Sequence, residues 1–243
     1  STLLASSAAS DVYKRQYKDS TGVKFADDLL SYMNVHINVI GKENIPPEGR
    51  FIFASNHPLG ALDGVALIRF FGHFYSGKIK FLVNDLLMHI KPLAPVFLPI
   101  NKYGSQAKES SLQINNAYES DEQMLIFPAG LCSRLQHGKI KDLEWKKTFI
   151  AKAVQSQRDI IPIYFEGRNS TFFYRFAQIR KCIGLKFNIE LIYLPDEMFN
   201  SKNKTFDIYI GKPIPWQTFD KSKSLQEWAQ IVKEKVYQIK KNQ

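Results

Sequence analysis

The chain has 243 residues, of which 44% are hydrophobic and 13% aromatic, and its 33 basic and 23 acidic residues give a formal net charge of +10. This length favours one large domain, and the hydrophobic content is enough for a buried core, which excludes disorder as the main state. Two cysteines cannot build a disulfide framework, and no run of about 18 apolar residues predicts a membrane-spanning helix. The excess charge indicates an acidic partner: nucleic acid, an anionic membrane surface or an acidic protein.

The positive charge lies almost entirely in the second half of the chain. Residues 1–138 contain 13 basic and 12 acidic residues, whereas residues 139–243 contain 20 basic and 11 acidic residues, a net charge of +9. Two interpretations stay open: an ordinary solvated face, or a surface that attracts an acidic ligand.

The first 16 residues differ in character from the rest. Residues 1–10 lack the basic start of a signal peptide, and residues 11–16 (DVYKRQ) resemble the translation of an adapter used in sequencing libraries. We therefore expect a non-native or disordered leader over residues 1–16 and one domain over residues 17–243. The alternative for the leader is a natural mobile tail.

Short apolar strands alternate with helices along the rest of the chain. The predicted elements are, in order, a helix over 17–32, strands over 35–40 and 51–54, a helix from just after Pro58 toward Phe71, strands over 79–83 and 96–100, a helix over 105–118, a strand over 124–127, a helix over 145–155, strands over 160–165, 187–193 and 206–210, and a helix over 225–239. This alternation predicts an α/β fold: a single domain with a central mixed, partly parallel sheet flanked by helices.

One strand end carries two residues suited to acid–base chemistry. His57 follows the strand over 51–54, and Asp63 lies six positions later. A carboxylate beside a histidine fixes its tautomer and stabilises the imidazolium, so such a pair can act as a general base. On one regular helix the two side chains would lie about 120° apart, so they meet only if the backbone between them turns, which Gly60 and Gly64 allow. The alternative is that His57 caps the helix and Asp63 is solvated.

Three motifs, in this order, resemble those of the glycerolipid acyltransferase family, the lysophospholipid acyltransferases of the PlsC type. They are Asn56-His57 with Asp63, then Phe127-Pro128-Ala129-Gly130 with Ser133-Arg134, then Ile161-Pro162-Ile163. The resemblance extends from Val35 to Pro215. The segments NHPLGALDG, FPAG and FEGRNS are similar to the branch that acylates lyso-aminolipids such as lyso-ornithine or lyso-glycine lipids.

The resemblance implies the glycerolipid acyltransferase fold and a direct transfer of a fatty acyl group from a thioester to the hydroxyl of a lysolipid. His57 would be the general base, Asp63 would orient it, and backbone N–H groups after Gly130 or near the helix start at His57 would hold the oxyanion. Acyl carrier protein or acyl-CoA would be the co-substrate, and neither a cofactor nor a metal is expected. The enzyme would be peripheral, at the cytoplasmic face of the membrane surface, with no nucleic-acid partner.

The sequence departs from the family pattern in ways that bear on the acceptor. Five residues rather than four separate His57 from Asp63. The segment from Phe127 to Arg134 corresponds to the family's own third motif and is called the third motif below. In it, Ala129 replaces the usual Glu and Cys132 stands at the usual Arg position. Lys102 is the cation nearest to the place of the second motif's Arg, and it lacks the bidentate fork of Arg. These changes favour an acceptor without a phosphate monoester over 1-acylglycerol-3-phosphate.

The expected substrate-binding residues are Asn56, Lys102, Phe127, Pro128, Gly130, Arg134 and Arg168. Arg134 and Lys102 are candidates for binding an acidic headgroup or carboxylate, with ordinary surface charges as the alternative, and Arg168 follows a strand end, where sites collect.

Three other functions compete with acyl transfer. A nucleophilic Cys132 would make a hydrolase, but the sequence has no Gly-x-Ser-x-Gly elbow. A nucleic-acid-binding module lacks a recognised motif, and a non-catalytic lipid-binding relative is permitted by the altered third motif. The aromatic and basic stretch over residues 172–181 either lies at a membrane interface or forms a core helix.

Overall fold

The computed structural model describes residues 19–83, 90–100, 106–182 and 194–242. The predicted leader, the predicted strand over residues 187–193 and the candidate Lys102 lie outside these ranges. Their predictions therefore stay as the sequence left them.

The described strands and helices follow the predicted alternation. The strands are β1 (His36–Ile40), β2 (Phe51–Ser55), β3 (Ile79–Val83), β4 (Phe97–Pro99), β5 (Gln123–Ile126), β6 (Arg134–Gln136), β7 (Lys139–Lys141), β8 (Asp159–Glu166) and β9 (Thr205–Ile210). The helices are α1 (Gly22–Tyr32), α2 (Leu62–Phe74), α3 (Gln106–Glu119), α4 (Thr148–Ser156), α5 (Thr171–Cys182), α6 (Leu194–Phe199) and α7 (Leu225–Gln238). None of these helices combines the length and the apolar character needed to cross a bilayer.

Seven of the described strands form one sheet in the order β1-β9-β8-β2-β5-β3-β4. The strands β8 and β9 pair antiparallel, and every other neighbouring pair is parallel. The predicted α/β domain with a mixed, partly parallel sheet is confirmed. The hairpin of β6 and β7 is separate from this sheet. It was not predicted, because each of its strands has only three residues, with one apolar residue between two polar ones.

Helices cover both faces of the sheet. On one face, α1 and α2 pack against inward side chains such as Phe53, Ile163 and Ile208. On the other face, α3, α4 and α7 pack against Ile52 and Ile160. Because both faces are covered, β2 and β5 bury every side chain, and their sequences show apolar runs (residues 51–54 and 124–126) rather than an alternation of apolar and polar residues.

One predicted helix starts later than its sequence pattern indicates. The prediction over residues 145–155 becomes α4, which begins at Thr148. Trp145 is instead tied to α7, because its carbonyl oxygen accepts hydrogen bonds from Gln226 and Gln230. Tertiary contacts therefore override the local helical pattern at this end.

A fully buried arginine joins the elements at the amino end of the central strands. The Arg158 guanidinium donates to backbone carbonyls at the end of α3, in the turn that follows and in β2: those of Ala117, Tyr118, Ser120, Glu122 and Phe51. The last carbonyls of a helix have no partner within the helix, so Arg158 supplies donors to them. Burial lowers the pKa of Arg158 to about 10, which still leaves it charged at neutral pH.

The strand order fixes where the sequence motifs meet. The strand β2 lies between β8 and β5, and all three run parallel. Carboxyl ends of parallel neighbours lie at the same edge of a sheet, and sites in open α/β sheets collect there. The segments that leave these three strands begin with residues 56–57, 127–130 and 167–168, so the topology brings the motifs of distant segments together.

Candidate active site

The His57 and Asp63 side chains meet beyond the carboxyl end of β2. Nδ1 of His57 lies 2.9 Å from Oδ2 of Asp63, and only 6% and 0% of the two side chains are exposed. The backbone between them makes a turn in which Gly60 is left-handed at a φ of 84°, and α2 begins only at Leu62. The turn removes the angular separation that a continuous helix would impose, so a spacing of six residues still gives direct contact.

Backbone N–H groups hold the Asp63 carboxylate in place. Its Oδ2 also accepts from the N–H of Leu59 at 2.9 Å, and its Oδ1 accepts from the N–H of Gly64 at 2.9 Å. Asp63 lies in the first turn of α2, where the helix dipole favours negative charge. A carboxylate held in this way accepts a hydrogen bond from the Nδ1–H of His57, which leaves Nε2 as the basic nitrogen of the ring.

The ring of Phe127 supports the imidazole from one side. The two ring centroids lie 3.8 Å apart and the planes are inclined by 14°, so the rings stack. Phe127 leaves β5 at the position where the third motif begins, and it is itself buried. Asp63 and Phe127 together fix the orientation of His57, and within the described ranges Nε2 makes no hydrogen bond.

Comparison with known proteins decides the family. A model of the family described as "Acyltransferase" matches residues 11–243. The chain belongs to this acyltransferase family. Two curated relatives, both named lyso-glycine lipid O-acyltransferase, come from Bacteroides thetaiotaomicron and Phocaeicola vulgatus. They are 52% and 49% identical over 229 residues, which cover 94% of this chain and 84% and 82% of the relatives.

A solved structure shares the fold of this acyltransferase. It is the crystal structure of the 1-acyl-sn-glycerophosphate acyltransferase PlsC from Thermotoga maritima, at a TM-score of 0.56 and 17% identity. The match covers 98% of this chain and 87% of that one. The resemblance inferred from the three motifs is therefore confirmed at the level of both family and fold.

A buried carboxylate of the acyltransferase, which sequence reasoning missed, holds the backbone of the loop that carries His57. Oδ1 of Asp142 accepts the N–H of His57 at 3.1 Å and the hydroxyl of Ser133 at 2.6 Å, and its Oδ2 accepts the indole N–H of Trp145 at 2.9 Å. The N–H of Ser133 in turn donates to the His57 carbonyl oxygen at 2.7 Å. Both backbone polar groups of His57 are thus bound, one by Ser133 of the third motif and one by Asp142, which follows it.

Burial raises the pKa of Asp142, and the hydrogen bonds from Ser133, Trp145 and the His57 N–H oppose this rise. The three donors therefore stabilise a carboxylate that burial alone would disfavour. No sequence pattern identifies Asp142, because its contact with His57 spans 85 positions and depends on how β6 and β7 fold back over the loop.

The third motif forms a tight turn that requires glycine. The N–H of Gly130 donates to the Phe127 carbonyl at 2.9 Å, and Gly130 has a φ of 73°. A Cβ at this position would lie 2.5 Å from the side-chain Nζ of Lys146. The backbone N–H of Lys146 donates to the carbonyl of buried Pro128 at 3.0 Å. Lys146, which the sequence did not single out, therefore places a positive charge against the turn beside His57.

Two predicted binding residues make contacts within the protein. The side-chain amide of Asn56 exchanges two hydrogen bonds with the backbone of Phe165, at 2.9 and 2.6 Å, and so fastens β2 to β8. Nη1 of Arg134 donates to the Cys132 carbonyl at 2.8 Å, and its guanidinium lies 5.8 Å from the ring centre of Phe173. A substrate contact by Asn56 or Arg134 stays a prediction.

Cys132, considered above as a nucleophile, is 2% exposed. Its Sγ lies 2.8 Å from Nη1 of Arg134. No contact between Cys132 and His57 occurs among the described hydrogen bonds, so the geometry gives the hydrolase alternative no support.

Several backbone N–H groups near the site are already paired. The N–H of Ser133 donates to His57 and that of Leu59 donates to Asp63. The N–H of Gly130 closes its own turn on Phe127. These three groups are therefore not available to an oxyanion in this conformation, and the assignment of the oxyanion hole stays a prediction.

Two pockets flank the loop that carries His57. An apolar pocket beyond Phe127 is lined by Ala61, Gly64, Val65, Ile68, Phe81, Val83, Ile90, Leu93 and Phe97. A polar, open pocket of about 280 Å³, called here the β8 pocket, is lined by Asn56, Pro58, Ser133, Ile140, Tyr164, Glu166, Gly167, Arg168 and Tyr237. Arg168 thus lies beside the loop that carries His57, separate from Arg134 and its local contacts.

Replacing Asp142 tests its role in holding the loop. We expect Asp142→Ala to lower the free energy of unfolding by about 3 kcal/mol, because three buried donors lose their acceptor. Urea unfolding followed by circular dichroism measures this change. The matched control is Asp121→Ala, since Asp121 is exposed and its replacement should change the value by less than about 0.5 kcal/mol. A loss below about 1 kcal/mol for Asp142→Ala would show that the loop does not depend on this carboxylate.

Proposed function

We propose that this acyltransferase moves a fatty acyl group from an acyl thioester to the hydroxyl of a lysolipid, and that the acceptor is a lyso-glycine lipid. The observation that carries the chemistry is the buried contact between His57 Nδ1 and Asp63 Oδ2, which leaves Nε2 as a base. The acceptor is supported by the two lyso-glycine lipid O-acyltransferases that are about half identical to this chain.

The proposed reaction needs one base and no acyl-enzyme. Nε2 of His57 takes the proton of the acceptor hydroxyl while the hydroxyl oxygen attacks the thioester carbonyl carbon. The new C–O bond forms, the C–S bond breaks, and the departing thiolate takes the proton back from the imidazolium. A thioester is already activated, so the main tasks are to position the hydroxyl and to accept its proton.

The acyl donor is assigned from charge rather than from a pocket. The apolar pocket beyond Phe127 is lined almost entirely by carbon atoms, but its volume of about 10 Å³ holds about one water molecule, so it is too small for a fatty acyl chain in this conformation. We expect the donor to be acyl carrier protein or acyl-CoA, both of them acidic, and the net charge of +9 in residues 139–243 would attract either one.

An acceptor without a phosphate monoester is favoured by the third motif. Glu is replaced there by Ala129, and the nearby guanidinium of Arg134 donates to the Cys132 carbonyl. The PlsC structure is 17% identical to this chain, so it supports the shared fold and says nothing about which acceptor this chain uses. The alternative acceptor 1-acylglycerol-3-phosphate therefore belongs in the same assay.

We also propose that the enzyme works peripherally, at the cytoplasmic face of the membrane. In α5, Phe173 and Tyr174 pack on the hairpin residues Leu135 and Ile140, whereas Phe172 is 56% exposed. An exposed aromatic ring within an aromatic and basic stretch, here residues 172–181, is typical of a surface that lies at a lipid interface. Lipid acceptors reside there, so this arrangement would bring the acceptor to the site.

Replacing the dyad tests the proposed chemistry. With a labelled acyl thioester and a panel of lysolipids that includes 1-acylglycerol-3-phosphate, we expect His57→Ala to lower kcat by about 10³-fold and Asp63→Asn by about 10²-fold. The matched control is His137→Gln, an exposed histidine on the β6–β7 turn, which should keep wild-type activity. Equal transfer by His57→Ala and the wild type, or no transfer to any acceptor, would contradict the proposal.

Vesicle binding tests the membrane surface. We expect the wild type to sediment with vesicles that contain anionic lipid, less so as salt concentration rises, and Phe172→Asp to weaken binding about tenfold, because an apolar contact is lost and like charge is added. Leu112→Asp is the control, since Leu112 is 60% exposed but lies on α3. Equal loss of binding in both variants, or no binding by the wild type, would overturn the assignment of α5 as the membrane surface.

A further inference from the structure

The loop after β8 is fixed against the loop that carries His57. The side-chain amide of Asn169 donates to the Pro58 carbonyl at 3.4 Å, and its N–H donates to the Tyr174 hydroxyl at 3.0 Å. A Cβ on Gly167 would lie 3.2 Å from Leu59, so the two loops are in close contact. The backbone of Arg168, between Gly167 and Asn169, is therefore held in place next to His57's neighbours even though its side chain is exposed.

The β8 pocket is lined by one cation, Arg168, and one carboxylate, Glu166. Within the described ranges, the carboxylate that lines it belongs to Glu166, and this group forms an ion pair with Lys240. Arg168 lines the same pocket, and no hydrogen bond or ion pair joins its guanidinium to a described residue. The pocket thus presents one cation without a carboxylate partner, Arg168, beside the loop that carries His57.

Neutral hydroxyl groups complete the polar lining. Burial raises the pKa of both Tyr164 and Tyr237, so both phenols stay protonated at neutral pH and do not repel an anion. Ser133 lines the same pocket, but its one O–H donates to Asp142, so the hydroxyl donors open to a ligand are the two phenols. A guanidinium next to hydroxyl groups is the combination that recognises a carboxylate, because Arg offers two parallel N–H donors to its two oxygens.

We propose that the β8 pocket binds the free carboxylate of the acceptor's headgroup, with Arg168 as the cation that contacts it. The inference rests on the function proposed above, in which the acceptor carries glycine. A glycine joined to a lipid through its carboxyl group ends in an amine, whereas one joined through its nitrogen ends in a carboxylate. The uncompensated Arg168 selects the second arrangement, and a volume of about 280 Å³ suits a small headgroup rather than a whole lipid.

An anion in this pocket could also come from the donor, since coenzyme A and the prosthetic group of acyl carrier protein carry phosphate. Carboxylate and phosphate are both bound bidentately by Arg. The loop contacts to Pro58 and Leu59 place the pocket next to the two residues that follow His57, and this closeness to the proposed base favours the acceptor as the source. The two sources are separated by measuring which substrate loses affinity.

Equilibrium binding tests the carboxylate directly. N-octanoylglycine and its methyl ester, each titrated without an acyl donor and followed by NMR, differ only in the charged group. We expect the wild type to bind the free acid at least about tenfold more tightly than the ester, and Arg168→Gln to lose this preference. The control is Arg69→Gln, because Arg69 is a partly exposed arginine of α2 whose ion pair with Asp27 lies outside the pocket, and this variant should keep the preference.

Kinetics then identify the source of the anion. In the acyl-transfer assay we expect Arg168→Gln to raise the KM for the lyso-glycine lipid by about 10- to 100-fold and to leave the KM for the donor and the KM for a methyl-ester acceptor unchanged. A raised donor KM, or an unchanged preference for the free acid in either experiment, would overturn the inference. If no acceptor is acylated by the wild type, the proposed function fails, while the binding titration still decides whether Arg168 recognises a carboxylate.

Discussion

Three parallel strands in the middle of the sheet end at one edge, and the site depends on this constraint. The strands β2, β5 and β8 are neighbours, so the segments that leave them must pass close to one another. The first segment brings His57, the second brings Phe127 as the support of its ring, and the third brings Arg168 beside the same loop. The strands β3 and β4 run parallel to this trio, and their residues Phe81, Val83 and Phe97 line the apolar pocket, whereas β9 and β1 run in the opposite direction.

Two kinds of contact then fix His57 within this edge. The short contact to Asp63, with Phe127 beneath the ring, sets the orientation of the imidazole. Asp142 and Ser133 bind both backbone polar groups of His57 and so hold the loop itself. At the opposite end of the same strands Arg158 joins α3 to β2 through backbone carbonyls. Buried polar groups with satisfied partners thus lie at both ends of the central strands, and an apolar core separates them.

The parts of the site that the sequence predicts are those encoded locally. The strand before His57, the turn permitted by Gly60 and the meeting with Asp63 all lie within one short segment, and the alternation of apolar strands with helices was enough to predict the fold. The role of Asp142 was not predictable, because its partners are 85 and 9 positions away and it lies in a segment without a motif. The contacts of the Arg134 side chain were not predictable either, since only the folded hairpin shows that its guanidinium donates to the Cys132 carbonyl.

The most direct test of the account is the protonation of the His57 ring, which ¹⁵N NMR of histidine-labelled protein measures without any substrate. The geometry predicts that neutral His57 carries its proton on Nδ1, hydrogen-bonded to Asp63, and that Nε2 is unprotonated. In Asp63→Asn this preference should be lost, because an amide in that place can present a donor to Nδ1. A neutral His57 protonated on Nε2 in the wild type, or the same tautomer in Asp63→Asn, would contradict the central claim that Asp63 prepares His57 as the base.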